Sequence, residues 1–166
     1  MKEYNDYVQT TREYLKHYQE FKVTVENLND EIETGEQILR LDPSAPIPKY
    51  GDDTGGGKSE LTATESEAAK RIAIREKIDT KRQEVERIKL VIRKVDRAKD
   101  ALPEQERQLV DGFYFQHKTW KALSIEYFMT EKWARVTAGR AVKRMAGMIF
   151  GNAAAPEQKG LFVFFE

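Results

Sequence analysis

The sequence predicts an all-α protein: a long antiparallel helical hairpin followed by a C-terminal helix-turn-helix domain. Three observations carry that expectation. Residues 1–41 and residues 65–102 each hold a heptad seam, and residues 119–150 hold two capped helical segments in close succession.

In the first segment Tyr4, Tyr7, Thr11, Tyr14, Tyr18, Phe21, Val25, Leu28, Ile32 and Leu39 recur in alternating steps of three and four, with Gly35 filling the one gap. That spacing keeps one stripe of a long helix against a neighbouring helix. Pro43 ends it, because a proline cannot continue the hydrogen-bond ladder. Residues 42–64 read as a linker: within 42–60 stand three prolines and four glycines, and no periodicity.

The second seam runs through Ile74, Ile78, Val85, Ile88, Ile92, Val95 and Leu102, interrupted by Lys81 and Lys99. Thr64 followed by Glu67 suits a capping box at its start, and Pro103 closes it. Two helices of similar length on a flexible linker make an antiparallel hairpin the economical arrangement. Pairing of each arm with a second subunit is the alternative.

Charged residues make up 34 % of the 166-residue chain, which suits solvated amphipathic helices. The formal net charge is zero, but it is unevenly distributed. Residues 1–41 hold five basic and nine acidic residues, net −4; residues 65–100 hold twelve and eight, net +4; residues 118–147 hold seven and two, net +5. A phosphate backbone meets the local charge, not the average. The absence of cysteine excludes disulfides, thiolate zinc sites, iron–sulfur clusters and thiol catalysis. It fits a reducing, cytoplasmic setting. The start, MKEYNDYVQTTREY, offers no apolar run of a signal-peptide core, and no stretch approaches the roughly 20 apolar residues of a membrane span.

Residues 103–150 carry the chemistry. Pro103 followed by Glu104 and Glu106 marks a helix start. Leu109, Val110, Phe113 and Tyr114 give that helix an apolar face, and it is expected to end near His117. Thr119 then caps a short helix whose inner face is Trp120, Leu123, Ser124 and Tyr127. Thr130 caps a longer helix, with Glu131 against the positive end of its dipole. On that helix Ala134, Ala138, Ala141 and Met145 recur on one side. Lys132, Arg135, Val136, Gly139, Arg140 and Lys143 fall on the other. Small inner residues allow close packing, and a basic outer face suits a helix laid in a major groove. Lys132, Arg135, Arg140 and Lys143 are the expected groove or phosphate contacts, with Lys118, Lys121 and Arg144 as flanking phosphate contacts. Thr119 and Thr130 offer helix N-termini to phosphates.

From Leu102-Pro103-Glu104 through Ala141-Val142-Lys143-Arg144-Met145 the chain resembles region 4 of bacterial sigma factors. There a Leu-Pro-x-x-x-Arg helix precedes a two-helix DNA reader. To about Gly151 the chain further resembles phage transcriptional regulators of the RinA and ArpU type. The matching pieces are the Gly-rich stretch Tyr50–Gly57, then Thr62–Arg71, then Trp120-Lys121-Ala122-Leu123. The resemblance implies activation of phage late or packaging genes in a bacterial host cell. Two positions depart from the pattern. Phe128 stands where the family has Gly, so a differently built turn is expected there. Trp133 replaces a Ser or Thr; it either stacks on sugar or packs on the hairpin, and its large area favours packing.

Other signals carry less. Gly55-Gly56-Gly57-Lys58-Ser59 evokes a phosphate-binding loop, but Asp52 stands where the first glycine belongs and no apolar strand precedes it. His17 and His117 stand alone, and the pairs Asp30-Glu31 and Asp52-Asp53 sit on a solvated face and a linker. No catalytic set is legible, and neither an enzyme activity nor a cofactor is expected. Residues 151–166 read as a flexible spacer and an apolar tail, Leu161–Phe165. The expected partner is double-stranded DNA. The hairpin is expected to mediate homo-oligomer formation or contact with host RNA polymerase, and the tail either packs on the chain or docks on a partner such as the polymerase. Two rival functions remain: a small terminase-like DNA packaging protein, and a coiled-coil adaptor without DNA binding.

Overall fold

The computed structural model describes residues 4–41 and 63–151. Its elements are α1 (Tyr4–Lys16), α2 (Tyr18–Arg40), α3 (Ala63–Asp100), α4 (Glu104–Val110), a π-helical turn (Asp111–Phe115), α5 (Trp120–Glu126) and α6 (Glu131–Phe150). The fold is all-α, as expected. The Gly-rich linker core and the apolar tail lie outside the described residues. α3 begins at Ala63, one residue before the expected cap Thr64, whose side chain is also outside them.

The first 41 residues form two helices rather than one. The interruption is confined to His17, and backbone bonds from His17 N to Glu13 O (3.0 Å) and from Phe21 N to His17 O (2.9 Å) carry the helical path across it. The seam runs through both helices: Thr11, Tyr18, Val25 and Ile32 are buried, and Tyr7, Tyr14, Phe21, Leu28, Gly35 and Leu39 are half-buried.

The chain divides into two compact units, Val23–Lys89 and the pair Met1–Lys22 with Leu90–Glu166. This division cuts through both long helices, not between a hairpin and a C-terminal domain. The apolar faces of α1 and of the end of α3 are buried against the C-terminal helices, which is why they group with them.

Within Val23–Lys89, α2 and α3 run antiparallel. Glu31 pairs with Lys81, Gly35 meets Ile78, and the Leu39 carbonyl accepts from Arg71 (3.1 Å), so partners descend on α3 as they rise on α2. Gly35 fills its seam position because a Cβ there would meet Ile78 Cδ1 at 3.0 Å. Arg71 also donates to the Leu41 carbonyl (3.3 Å), satisfying the orphan carbonyls at the end of α2. Lys81, which interrupts the α3 seam, is paired with the Glu31 carboxylate of α2.

In the other unit one apolar cluster joins Val8 and Leu15 of α1, Val95 and Ala98 of α3, Leu102, Val110 and the inner face of α6. Tyr18 closes it: its ring meets Phe115 edge-on at 4.8 Å and its hydroxyl donates to Asp96 Oδ1 (2.6 Å). Lys99, the second seam interruption, pairs with Asp111 (3.3 Å) and covers the Phe115 ring. A second cluster gathers Leu109, Leu123, Ala134 and Ala138, with Phe113 stacked on Trp120 at 4.0 Å.

The helix begun at Glu104 does not stay α-helical to His117. It widens at Asp111–Phe115, and His117 then turns left-handed, φ 53°. Gly112 is buried in this stretch, and a Cβ there would drive into Leu123 Cδ2. Leu123 is itself fully buried and cannot swing aside. Gly112→Ala is therefore expected to lose about 1–3 kcal/mol through overpacking. Gly147→Ala on α6, where a Cβ meets nothing within 4 Å, should gain about 0.5–1 kcal/mol from helix propensity. Urea unfolding of the two variants beside wild type checks both signs.

Tyr18 yields a second expectation. Burial, then the hydrogen bond and charge of Asp96, push its phenol well above the ordinary value of 10.0. A raised folded-state pKa holds stability below the unfolded pKa and loses it as pH climbs toward the folded one. Stability should therefore fall above about pH 10. Tyr18→Phe should show a shallower alkaline fall, read by denaturant midpoints at successive pH values.

Candidate nucleic-acid interface

The segment 119–150 folds as a short helix, a tight turn and a long helix, and its caps are local. Thr119 Oγ1 accepts from the Ala122 N–H (3.2 Å), and Thr130 Oγ1 accepts from the Trp133 N–H (3.1 Å). Each satisfies one of the donors that a helix start leaves orphaned.

The turn between α5 and α6 keeps the left-handed residue that glycine would provide. Phe128 adopts φ 52°, so the expected different build is not what forms. The reason is the closure around it: Met129 N donates to Ser124 O (2.9 Å) and Phe128 N to Ile125 O (3.4 Å), the two bonds that end a helix through a left-handed residue. The Phe128 side chain is 97 % exposed, so no burial offsets a backbone cost of roughly 1–2 kcal/mol.

α6 is divided cleanly by burial. Ala134, Thr137, Ala138, Ala141, Val142, Met145, Ala146 and Ile149 face inward. Lys132, Trp133, Arg135, Val136, Arg140 and Lys143 face solvent. Trp133 is 46 % exposed, and it lies on the outer face rather than packing on the paired long helices. The Arg140 guanidinium stands 6.0 Å from its ring centroid, at the outer reach of a cation–π contact.

The expected site residues differ in what already holds them. Lys121, Lys132, Arg140 and Lys143 make no ion pair among the described residues. Arg135 pairs with Glu131 one turn earlier (3.3 Å), an exposed contact worth little and easily exchanged. Lys118 is held by both Glu126 oxygens (2.9 and 2.7 Å), which ties the loop before α5 to the end of that helix. Arg144 turns to the side of α6 and reaches the buried Glu106 of α4, with Nε 3.3 Å from Oε2 and Nη2 3.4 Å from Oε1. Its guanidinium thus compensates a buried carboxylate.

Two grooves border the outer face. One, of about 620 Å³, is lined by Lys118, Lys121, Arg135 and Glu131, by Trp120, and by Lys16 of α1. The other, of about 400 Å³, is lined by Val136, Gly139, Arg140 and Lys143 of α6 and by Arg12 of α1. Arg12 and Lys16 are site residues that sequence reasoning missed. They stand on an acidic segment more than 110 positions from α6, and no spacing rule links the two. Burial raises the Tyr114 phenol above its ordinary value, and Arg12 and Lys16 offset part of that rise.

No family model, curated protein or solved structure matches the chain.

Arg144→Ala is expected to cost about 1–3 kcal/mol, because it leaves Glu106 buried without its counter-charge. Adding Glu106→Gln should return part of that loss. Thermal unfolding of the single and double variants measures the coupling, and additive losses would show that the pair carries no structural weight.

Proposed function

We propose that this chain is a sequence-specific, DNA-binding transcriptional regulator that lays α6 in a major groove. One observation carries the reading. The outer face of α6 presents four cations, Lys132, Arg135, Arg140 and Lys143, on a helix whose inner face of small residues seats it beside the capped helix α5. A helix held this way presents its cations along one face. Arg135 and Arg140 suit guanine edges or phosphates, and the lysines suit phosphates. Trp133 and Val136 offer apolar contact to thymine methyls or sugars. The Lys118–Glu126 pair positions the loop before α5, while Lys121 remains available for a flanking phosphate. The resemblance to sigma region 4 and to RinA- and ArpU-type regulators supports activation of phage late or packaging genes as the biological role.

The test is binding to a panel of short duplexes from the gene's own neighbourhood at several salt concentrations, beside Arg135→Ala/Arg140→Ala. The expected result is a site-preferring complex that weakens as salt rises and is lost in the variant. Equal, weak binding by wild type and variant at every salt concentration would remove the DNA reading and leave an adaptor built on the long helices. A closed ring of many subunits gripping DNA without site preference would favour a packaging protein.

A further inference from the structure

The α6 face does not end at α6. α1 runs alongside it in the opposite sense: the Tyr7 ring meets Phe150 near the end of α6 (5.0 Å), Arg12 borders Gly139, and Lys16 borders Arg135 near its start. Both grooves on this flank therefore have α1 as one wall. Arg12, Arg140 and Lys143 border the 400 Å³ groove, and no carboxylate lies in its lining. Arg12 makes no ion pair among the described residues, although Glu13 beside it pairs with both Lys16 and His17. A basic border without an acidic residue suits a polyanion passing over it. A Cβ at Gly139 would meet nothing within 4 Å, so the floor of the groove is open to an incoming group.

We infer that α1 is part of the nucleic-acid interface, with Arg12 gripping the sugar-phosphate backbone of duplex DNA in the groove it shares with Gly139, Arg140 and Lys143. The inference rests on the DNA reading above and extends it to a helix outside the helix-turn-helix. A duplex fits better than a free phosphate. The second cationic groove, bordered by Lys16, lies further along the same α1–α6 seam, and a polyanion runs past both where a single anion fills one. Phosphate contacts position a protein without reading bases. Arg12 thus sets affinity and register, and base preference stays with α6.

The experiment measures binding to the preferred duplex and to a scrambled duplex at 50 and 200 mM salt for five proteins. These are wild type, Arg12→Ala, Gly139→Glu, Arg135→Ala/Arg140→Ala, and Arg87→Ala as an exposed cation of the other unit. Removing one phosphate contact lowers the salt slope by about 0.9, so the ratio of wild-type to Arg12→Ala affinity should shrink about threefold between the two salts. The loss should be equal on both duplexes. Gly139→Glu fills the groove and adds a carboxylate, so it should weaken binding more, with an undiminished melting temperature showing that the fold is intact. The inference is overturned, and the DNA reading kept, if Arg12→Ala and Gly139→Glu bind like wild type while Arg135→Ala/Arg140→Ala does not. It is also overturned if Arg87→Ala matches Arg12→Ala, which would make the effect one of net charge. Absence of salt-dependent binding by wild type overturns both.

Discussion

The close seating of α6 is the constraint on which the unit around it depends. Ala134, Ala138, Ala141 and Ala146 leave so little bulk on its inner face that α1, α4 and α5 all bear on one helix of twenty residues. Larger side chains would hold the neighbours apart and open voids that apolar groups cannot tolerate. The other features follow. Gly112 must lack a side chain because Leu123 is pressed into the same space. Glu106 is caught in the packing of α4 and needs Arg144. The backbone positions that carry the outer cations are fixed by the packing of the inner face.

A net charge of zero conceals a division of labour among the ions. Along α2 and α3, Glu31 and Glu36 answer Lys81 and Arg82, so the acidic first arm and the basic second arm meet in two ion pairs among the described residues. Around α6 the balance differs. Glu106 and Glu126 each hold one cation at the margin, and Glu131 holds Arg135 loosely, but Arg12, Lys121, Lys132, Arg140 and Lys143 have no such partner among the described residues. Surface pairs such as Arg135–Glu131 are worth at most about 1 kcal/mol, so they restrain a side chain without withholding it from a stronger anion.

Much of this was legible in the sequence because it is local. A seven-residue repeat states which face is buried, and every described position of both seams is buried or half-buried, including Lys81 and Lys99. Thr119 and Thr130 announce helix starts because the bond each makes spans only three residues. What was not legible depends on distant partners. The need for glycine at position 112 appears only once Leu123 stands over it. Arg144 reads as one more cation until Glu106 is found beneath it, 38 positions away in sequence. Trp133 reads as core by size alone, yet its place on the α6 wheel puts it among the outward residues. Arg12 and Lys16 join the site only through the packing of α1 on α6.

That packing bears on the order in which the chain is made. α1 leaves the ribosome with Val8 and Leu15 exposed, and the helix that will cover them follows only after more than 110 further residues. At roughly 5–20 residues per second this is an interval of many seconds. The α2–α3 pair has all its residues before α6 exists, and its formation shortens the loop that α1 must close. α6 thus takes its place after α1 has waited for it, and it completes a groove whose other wall was synthesised earlier. A chain that ended after α3 would hold every residue of the α2–α3 pair but lack the α6 side of the cluster around Val8 and Leu15.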